Sequence, residues 1–480
     1  MAPTTSKTTR SGSKAKASSR KAKARTASPT APTIKTFPSA VKSLLDRPNF
    51  ERLRPGRIDR ASFKLARMEA LLKALDDPHR DINAVHVAGT VGKGSTVAMM
   101  QSVLEGCGWT TGTYTSPHLM DIRERIAING TNVSQASFAK LAKEVSKAAD
   151  DVAPDATFFE IITAMSFLHF AETATDVAII ETGLGGRFDA TNVLTPAVSL
   201  ITRIDYDHQY LLGETLAEIA REKAGIFKPG VPALSVKQDP EVEAVLREVA
   251  EEVGAELRFI GKEIEFSSRF CVTDESGAHM RVCLLGERIH YMHLPVPLPG
   301  SHQADNCALA LAALDMVGGK ADEFEESVIF RGLARTKNPG RMDLVWNRPR
   351  ILVDGAHNPA SMQALMRGIG SHLSFDSMIC IFGCNEDKDV DANLEKLAIG
   401  GDKIIFTKAA GQPRAMEPED LVKRFEELRN RTCQAAPSVE AAIQIAAQAS
   451  GREDLICVTG SFYLVGETMS YLEKLRAKMA

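Results

Sequence analysis

The feature that most constrains this chain is a short apolar strand that runs into a glycine-rich turn and out into a helix. Residues 84–88 read as a buried strand, Gly89-Thr90-Val91-Gly92-Lys93-Gly94-Ser95 follows at once, and residues 95–104 have helical character. Glycines let main-chain N–H groups turn toward a phosphate, and the helix start adds a favourable dipole. Lys93 supplies a cation, and Ser95 or Thr96 a hydroxyl for phosphate or Mg²⁺. The spacing departs from the strict G-x-x-x-x-G-K-[ST] pattern, because Val87 holds the first glycine position and Gly94 follows the lysine. Taken alone, the segment also reads as a plain glycine turn.

The strand-loop-helix order recurs. Residues 176–181 and 197–204 are strand-like and residues 216–224 helical; beyond a polar stretch at 335–340 the alternation restarts, with strands near 350–353, 378–382, 403–407 and 455–459. Such alternation predicts a mostly parallel α/β sheet in each half, with a domain boundary near residue 336. Residues 266–294 differ, with short strand-like pieces around Asp274-Glu275-Ser276-Gly277 that predict an antiparallel excursion at the sheet edge.

Charge is divided unevenly. Residues 1–36 hold nine lysines and arginines and no acid; removing these nine from the chain's 58 leaves 49 against 61 acidic residues, a body near −12. That balance argues against a nucleic-acid-binding surface. The first 36 residues have little to bury and read as a disordered basic tail, with an organelle transit peptide as the alternative. The eight cysteines are scattered without C-x-x-C spacing, which suits reduced thiols in the cytoplasm. The most apolar stretch, residues 158–171, is interrupted by Glu160 and His169 and is too short for a bilayer, so no membrane partner is expected.

Three further segments carry chemistry. Glu181-Thr182-Gly183-Leu184-Gly185-Gly186-Arg187-Phe188-Asp189-Ala190-Thr191-Asn192 follows an apolar strand, which puts a carboxylate where a nucleotide enzyme needs a metal ligand. Asp205-Tyr206-Asp207-His208 ends another strand, with Glu222-Lys223-Ala224-Gly225 in a helix just downstream. By composition alone a strand cap and a surface lysine are the plainer reading of His208 and Lys223. Asp354-Gly355-Ala356-His357-Asn358-Pro359 sets a carboxylate and an imidazole in a turn at a strand's carboxyl end, which is equally a plain turn.

Taken together, these segments resemble the Mur ligase superfamily, most closely its folylpolyglutamate synthase/dihydrofolate synthase branch. Thr115-Ser116-Pro117-His118-Leu119 with Glu124-Arg125 is similar to that branch's S-P-H-L…E-R element, and residues 181–192 to its E-x-G-L-G-G-R-x-D-A-T-N signature. His302-Gln303…Asn306, Pro339-Gly340-Arg341 and Asp387-Lys388-Asp389 follow in the family's order. The resemblance implies an α/β fold: a Mur-ligase-like P-loop ATPase domain over residues 37–336, then a smaller Rossmann-like glutamate-ligase domain over 337–480. It implies an ATP-dependent ligase that activates a carboxylate as an acyl phosphate and adds L-glutamate to dihydropteroate, to tetrahydrofolate or to both, acting as a monomer. A cell-wall ligase is disfavoured by the D-A-T-N segment, and a nucleotide switch would not need the metal set.

Carried onto this chain, the resemblance implies ATP contacts at Gly92, Lys93, Gly94, Ser95, Asn306, Arg341, Asp354 and His357. Mg²⁺ ligands would be Ser116, Glu181 and His208, with Lys223 joining them once carbamylated. Lys93, Lys223 and His208 would be the catalytic set, and Phe158, Phe159, Glu160, Phe188, Asp189 and Ala190 the folate side. The family usually has Asn where this chain has Val91. Two domains meeting over the nucleotide imply closure about a hinge near 335–340.

Overall fold

The computed structural model describes residues 34–51, 62–274, 277–286, 290–318 and 324–479. The basic tail, apart from its last three residues, lies outside the described residues. The strands are β1 (Ala84–Ala88), β2 (Thr111–Tyr114), β3 (Ile126–Ile128), β4 (Thr131–Asn132), β5 (Val177–Glu181), β6 (Val198–Ile201), β7 (Ala233–Ser235) and β8 (Leu257–Phe259). Then come β9 (Glu265–Thr273), β10 (Gly277–Leu285), β11 (His290–Pro295), β12 (Asp343–Asn347), β13 (Arg350–Asp354), β14 (Met378–Phe382), β15 (Lys403–Phe406), β16 (Gln434–Ala435) and β17 (Leu455–Thr459).

β1 to β8 form one sheet in the order β4-β3-β2-β5-β1-β6-β7-β8. It is parallel from β2 across to β8, and β3 and β4 add antiparallel pairs at one edge. β1, β5 and β6 are apolar along their length and buried on both faces, as the middle of a covered parallel sheet requires. Because β1 lies between β5 and β6, the phosphate loop, Glu181 and the turn after β6 leave the sheet side by side. Open α/β sheets bind ligands at such carboxyl ends.

The helix Lys93–Gly106 covers β1 and packs against the helix Glu326–Ala334, whose Gly332 approaches so closely that a Cβ there would lie 2.8 Å from the Cα of Val103. The helix His302–Ala312, almost wholly buried, completes the same core.

The predicted excursion at residues 266–294 takes a different form. β9, β10 and β11 make a separate antiparallel sheet in the order β11-β10-β9, not an extension of the first sheet's edge. Its apolar face, with Val282 and Leu284 fully buried, covers the core containing the helix His302–Ala312, while most of β9 faces outward. Alternation along β10 requires this: one face needs a core and the other does not.

The second half forms a six-stranded sheet in the order β12-β13-β17-β14-β15-β16, parallel except for β12. The loops after β13, β14 and β17 therefore stand together, and they face the carboxyl ends of β1, β5 and β6 across a cleft.

Candidate functional site

The phosphate loop is built for close approach. Gly89 and Gly92 have φ of +151° and +97°; a Cβ on Gly89 would sit 1.9 Å from Thr202 Oγ1, and one on Gly92 would sit 2.4 Å from Asn306 Oδ1. The N–H groups of Thr90 and Val91 donate to the Arg203 carbonyl at 2.9 and 3.2 Å, which fixes the loop to β6. Lys93 Nζ donates to the Gly89 carbonyl at 3.0 Å and lies 3.8 Å from Glu181 Oε1. Ser95 Oγ accepts from Gln303 Nε2 and Asn338 Nδ2 at 3.2 and 3.0 Å.

Around the loop lies a set of buried ionisable groups. Glu181 is 5% exposed; burial raises its pKa and the Lys93 charge opposes that rise, while its Oε2 accepts from the Ser116 N–H at 3.4 Å. Lys223 is equally buried and donates to the Gly89 carbonyl at 2.9 Å. Burial, reinforced by the Lys93 charge, lowers its pKa to about 7. His208 has φ of +51°, and burial lowers its pKa to about 3, so its imidazole is neutral; its Nδ1 is buried without a hydrogen-bond partner.

Among the described residues no three His, Cys, Asp or Glu side chains are arranged to hold a metal ion. The predicted set is of another kind, a hydroxyl, a carboxylate and a neutral imidazole. His208, whose Nδ1 is unspent, lines one cleft with Glu181 and Ser116, and this donor set fits a divalent cation.

The cleft is lined by Lys93, Ser116, Glu181, His208, Lys223, Arg341 and His357, together with Phe159, Glu160, Phe188, Asp189 and Ala190. Predicted residues from both halves thus meet at one place. Three of the expected contact residues, Phe158, Asn306 and Asp354, are not among the cleft's lining. Phe158 is 1% exposed, packed in the core with the Arg125 guanidinium 5.1 Å from its ring centre. Neighbouring helical residues point about 100° apart, so only Phe159 of the pair faces the cleft. Asn306 stands behind Gly92 and donates to Gln303 Oε1 at 2.9 Å, so it shapes the loop from the far side. Asp354 is buried, accepting from the N–H groups of Met342 and Ala356 at 2.8 and 2.7 Å, and so fixes the turn that presents Arg341. Arg341 in turn stacks 4.4 Å from the Phe462 ring centre.

Glu160 reaches the cleft with its carboxylate already engaged by Arg67 Nε at 2.8 Å and by the N–H and hydroxyl of Thr157 at 2.7 and 2.9 Å. Asp189 accepts from the Leu184 N–H at 2.8 Å and the Thr191 hydroxyl at 2.5 Å. Phe50, Phe63, Tyr210, Lys388 and Arg414 also line the cleft, and sequence reasoning gave none of them a role. Lys388 lay within a noted motif, whereas Phe50 and Phe63 carry no local signal and reach the cleft through tertiary packing.

One carboxylate joins the two halves. Asp207, after β6, accepts from Lys388 Nζ at 2.6 Å, and its Oδ2 faces His357 Nε2 and Asn358 Nδ2, each at 3.5 Å. Burial opposes its ionisation, but His208, Lys388 and His357 around it hold its carboxyl well below the usual carboxylate range.

Residues 87–314 match the Mur ligase middle domain and residues 340–462 the Mur ligase glutamate ligase domain. The dihydrofolate synthase/folylpolyglutamate synthase of Bacillus subtilis is 33% identical over 416 residues, covering 85% of this chain and 95% of that protein. The chain belongs to the folylpolyglutamate synthase/dihydrofolate synthase family of Mur ligases.

It is therefore an ATP-dependent ligase. Another family member, the probable dihydrofolate synthetase of Schizosaccharomyces pombe, is 35% identical over 85% of this chain and 98% of its own length. Among solved family structures, an Escherichia coli FolC complex with DHPP and ADP superposes with a TM-score of 0.81 at 29% identity, covering 93% of this chain and all of that one. A bifunctional synthase structure with Mn, AMPPNP and L-glutamate bound superposes with a TM-score of 0.79 at 28% identity, covering 92% of this chain and all of that one. Divalent-metal use goes with the family fold.

Proposed function

We propose that this enzyme joins L-glutamate to a pterin-bearing carboxylate, dihydropteroate or a tetrahydrofolate, at the expense of ATP. The observation that carries the proposal is the meeting, in one cleft, of the phosphate loop, the Ser116–Glu181–His208 donor set and an aromatic-walled pocket formed by Phe159, Phe188, Phe50 and Phe63. An aromatic wall suits a flat pterin, and the buried acceptor Asp189 at its base suits the ring's N–H groups.

A carboxylate condenses poorly with an amine because its leaving group is poor. In this reading the loop N–H groups and Lys93 hold the γ-phosphoryl group while the pterin substrate's carboxylate attacks it, giving an acyl phosphate and ADP. The amino group of glutamate then attacks the acyl carbon and phosphate leaves. Ser116, Glu181 and His208 would hold Mg²⁺, which when bound offsets charge on the phosphoryl oxygens. Lys223, with a pKa near 7, is neutral in a large fraction of molecules, as addition of CO₂ to form a carbamate requires. Arg341 and His357, on the opposite side, would close on the nucleotide and exclude water.

The reading assigns ATP chemistry to residues 37–336 and the glutamate-side loops to residues 337–480. It places the enzyme in the cytoplasm, in keeping with eight cysteines that form no disulfide, and as a monomer. No described helix is long and apolar enough to cross a membrane.

The test is phosphate release from ATP and Mg²⁺ with L-glutamate, comparing dihydropteroate and tetrahydrofolate, with Lys93→Ala as the blank. Release that requires glutamate and one pterin supports the proposal and names the acceptor; release with either pterin marks a bifunctional enzyme. Release indifferent to both would sink it.

A further inference from the structure

Asp207, whose neighbour His208 takes the metal-facing role, and Lys388 are among the cleft groups with no assigned part. Lys388 is 8% exposed in its side chain, and Asp207 10%. Their 2.6 Å contact spans the two sheets, because Asp207 follows β6 of the first and Lys388 follows β14 of the second. The same carboxylate faces His357 and Asn358 in the loop after β13, and its Oδ1 accepts from the His208 N–H at 2.9 Å. One side chain therefore meets two of the three cleft-side loops of the second sheet, those after β13 and β14, while fixing the backbone of His208.

We infer that Asp207 is a positioning residue, a tether that registers the second sheet against the first and aims Lys388 and His357 into the cleft when the enzyme closes. The inference rests on the ligase reading for what passes through the cleft, but the contacts stand without it. The geometry excludes a merely decorative surface pair. Exposed ion pairs hold their partners loosely and matter little, whereas here both charges are nearly buried and three residues of one half converge on a single carboxylate of the other. Withdrawing that carboxylate leaves Lys388 buried without its counter-charge, so the second sheet gains by moving away. Closure, with the contacts it brings from the second half, is the step that suffers.

Asp207→Asn keeps the size and shape of the side chain, and Lys388→Met breaks the same contact from the opposite half, away from His208. X-ray scattering of the full chain with ATP analogue and metal reads closure directly, and it is informative whether or not a pterin is turned over. The expected result is that both variants scatter as a more open particle than wild type under these conditions, and that the double variant opens no further than either single one. In turnover, KM for L-glutamate rises about tenfold while the melting temperature stays that of the wild type. Wild-type scattering in both variants, or a loss of thermal stability in both that accounts for the change, would overturn the tether. Absence of glutamate-dependent turnover in the wild-type enzyme would instead count against the ligase reading alone.

Discussion

Val91 is where this phosphate loop departs from its family, and its surroundings limit what the change can do. Its N–H is tied to the Arg203 carbonyl, so the backbone stays in place and only a polar side chain is lost. Val91→Asn is expected to lower KM for ATP by up to about tenfold, the upper end of one hydrogen bond of about 0.5–1.5 kcal/mol, and an unchanged KM would refute it. A second residue-scale effect lies beneath the acceptor pocket. Thr191 spends its hydroxyl hydrogen on Asp189, so it must accept from His86 Nε2 at 2.8 Å, which leaves His86 Nδ1 buried without a partner. Burial, with Lys228 nearby, lowers the pKa of His86 to about 3. The unfolded chain takes up this proton near pH 6.5 and the folded one only near pH 3, so the unfolded state binds more protons between the two. Stability should fall as pH drops through that window, by up to about 1.4 kcal/mol per pH unit from this group. Denaturant melts of wild type and His86→Gln from pH 7 to 4 should diverge accordingly. Neither His86 nor Lys388 could be assigned from sequence, because a histidine in an apolar strand and a lysine in a loop acquire meaning only from partners far along the chain. Glu181, His208 and Lys223 were singled out through motif order and all three line the cleft, although local composition favoured a plainer reading of the last two.

At the scale of elements, local signals did well where one segment decides its own state. β1, β14 and β17 lie where apolar runs placed them, and the helix Leu216–Ala224 begins at Thr215, whose hydroxyl caps it. The failures are of facing and of pairing. The helix Phe158–Thr173 is apolar nearly all round, so no periodicity told which of its first two phenylalanines meets the cleft. Phe158→Ala should therefore cost about 3–5 kcal/mol in a chemical melt while KM for the pterin moves little, and Phe159→Ala should do the reverse. The antiparallel β9–β11 sheet was legible as strands but not in position, because its register depends on a helix that follows it in sequence. β12, an antiparallel edge strand before β13, was missed altogether; its pattern of partial exposure gives little hydrophobic signal.

For the whole molecule, the two-sheet architecture follows from alternation, and the opposed carboxyl ends follow from parallel pairing, so the location of the cleft was legible before any distance was known. Its walls were not, since they include Phe50 and Phe63 from before the first sheet. Deleting residues 1–36 is expected to leave kcat within about twofold in the phosphate-release assay. A further consequence lies in how the phosphate loop is supported from behind. Gly92 sits against Asn306, and the helix carrying Lys93 closes on Gly332. Both supports belong to segments made long after the loop itself. On the ribosome, the earliest binding element must therefore emerge as an open shelf, its apolar underside bare until the chain has grown past residue 334. The nascent chain cannot hold nucleotide at that stage, and its need for chaperone cover should be greatest there.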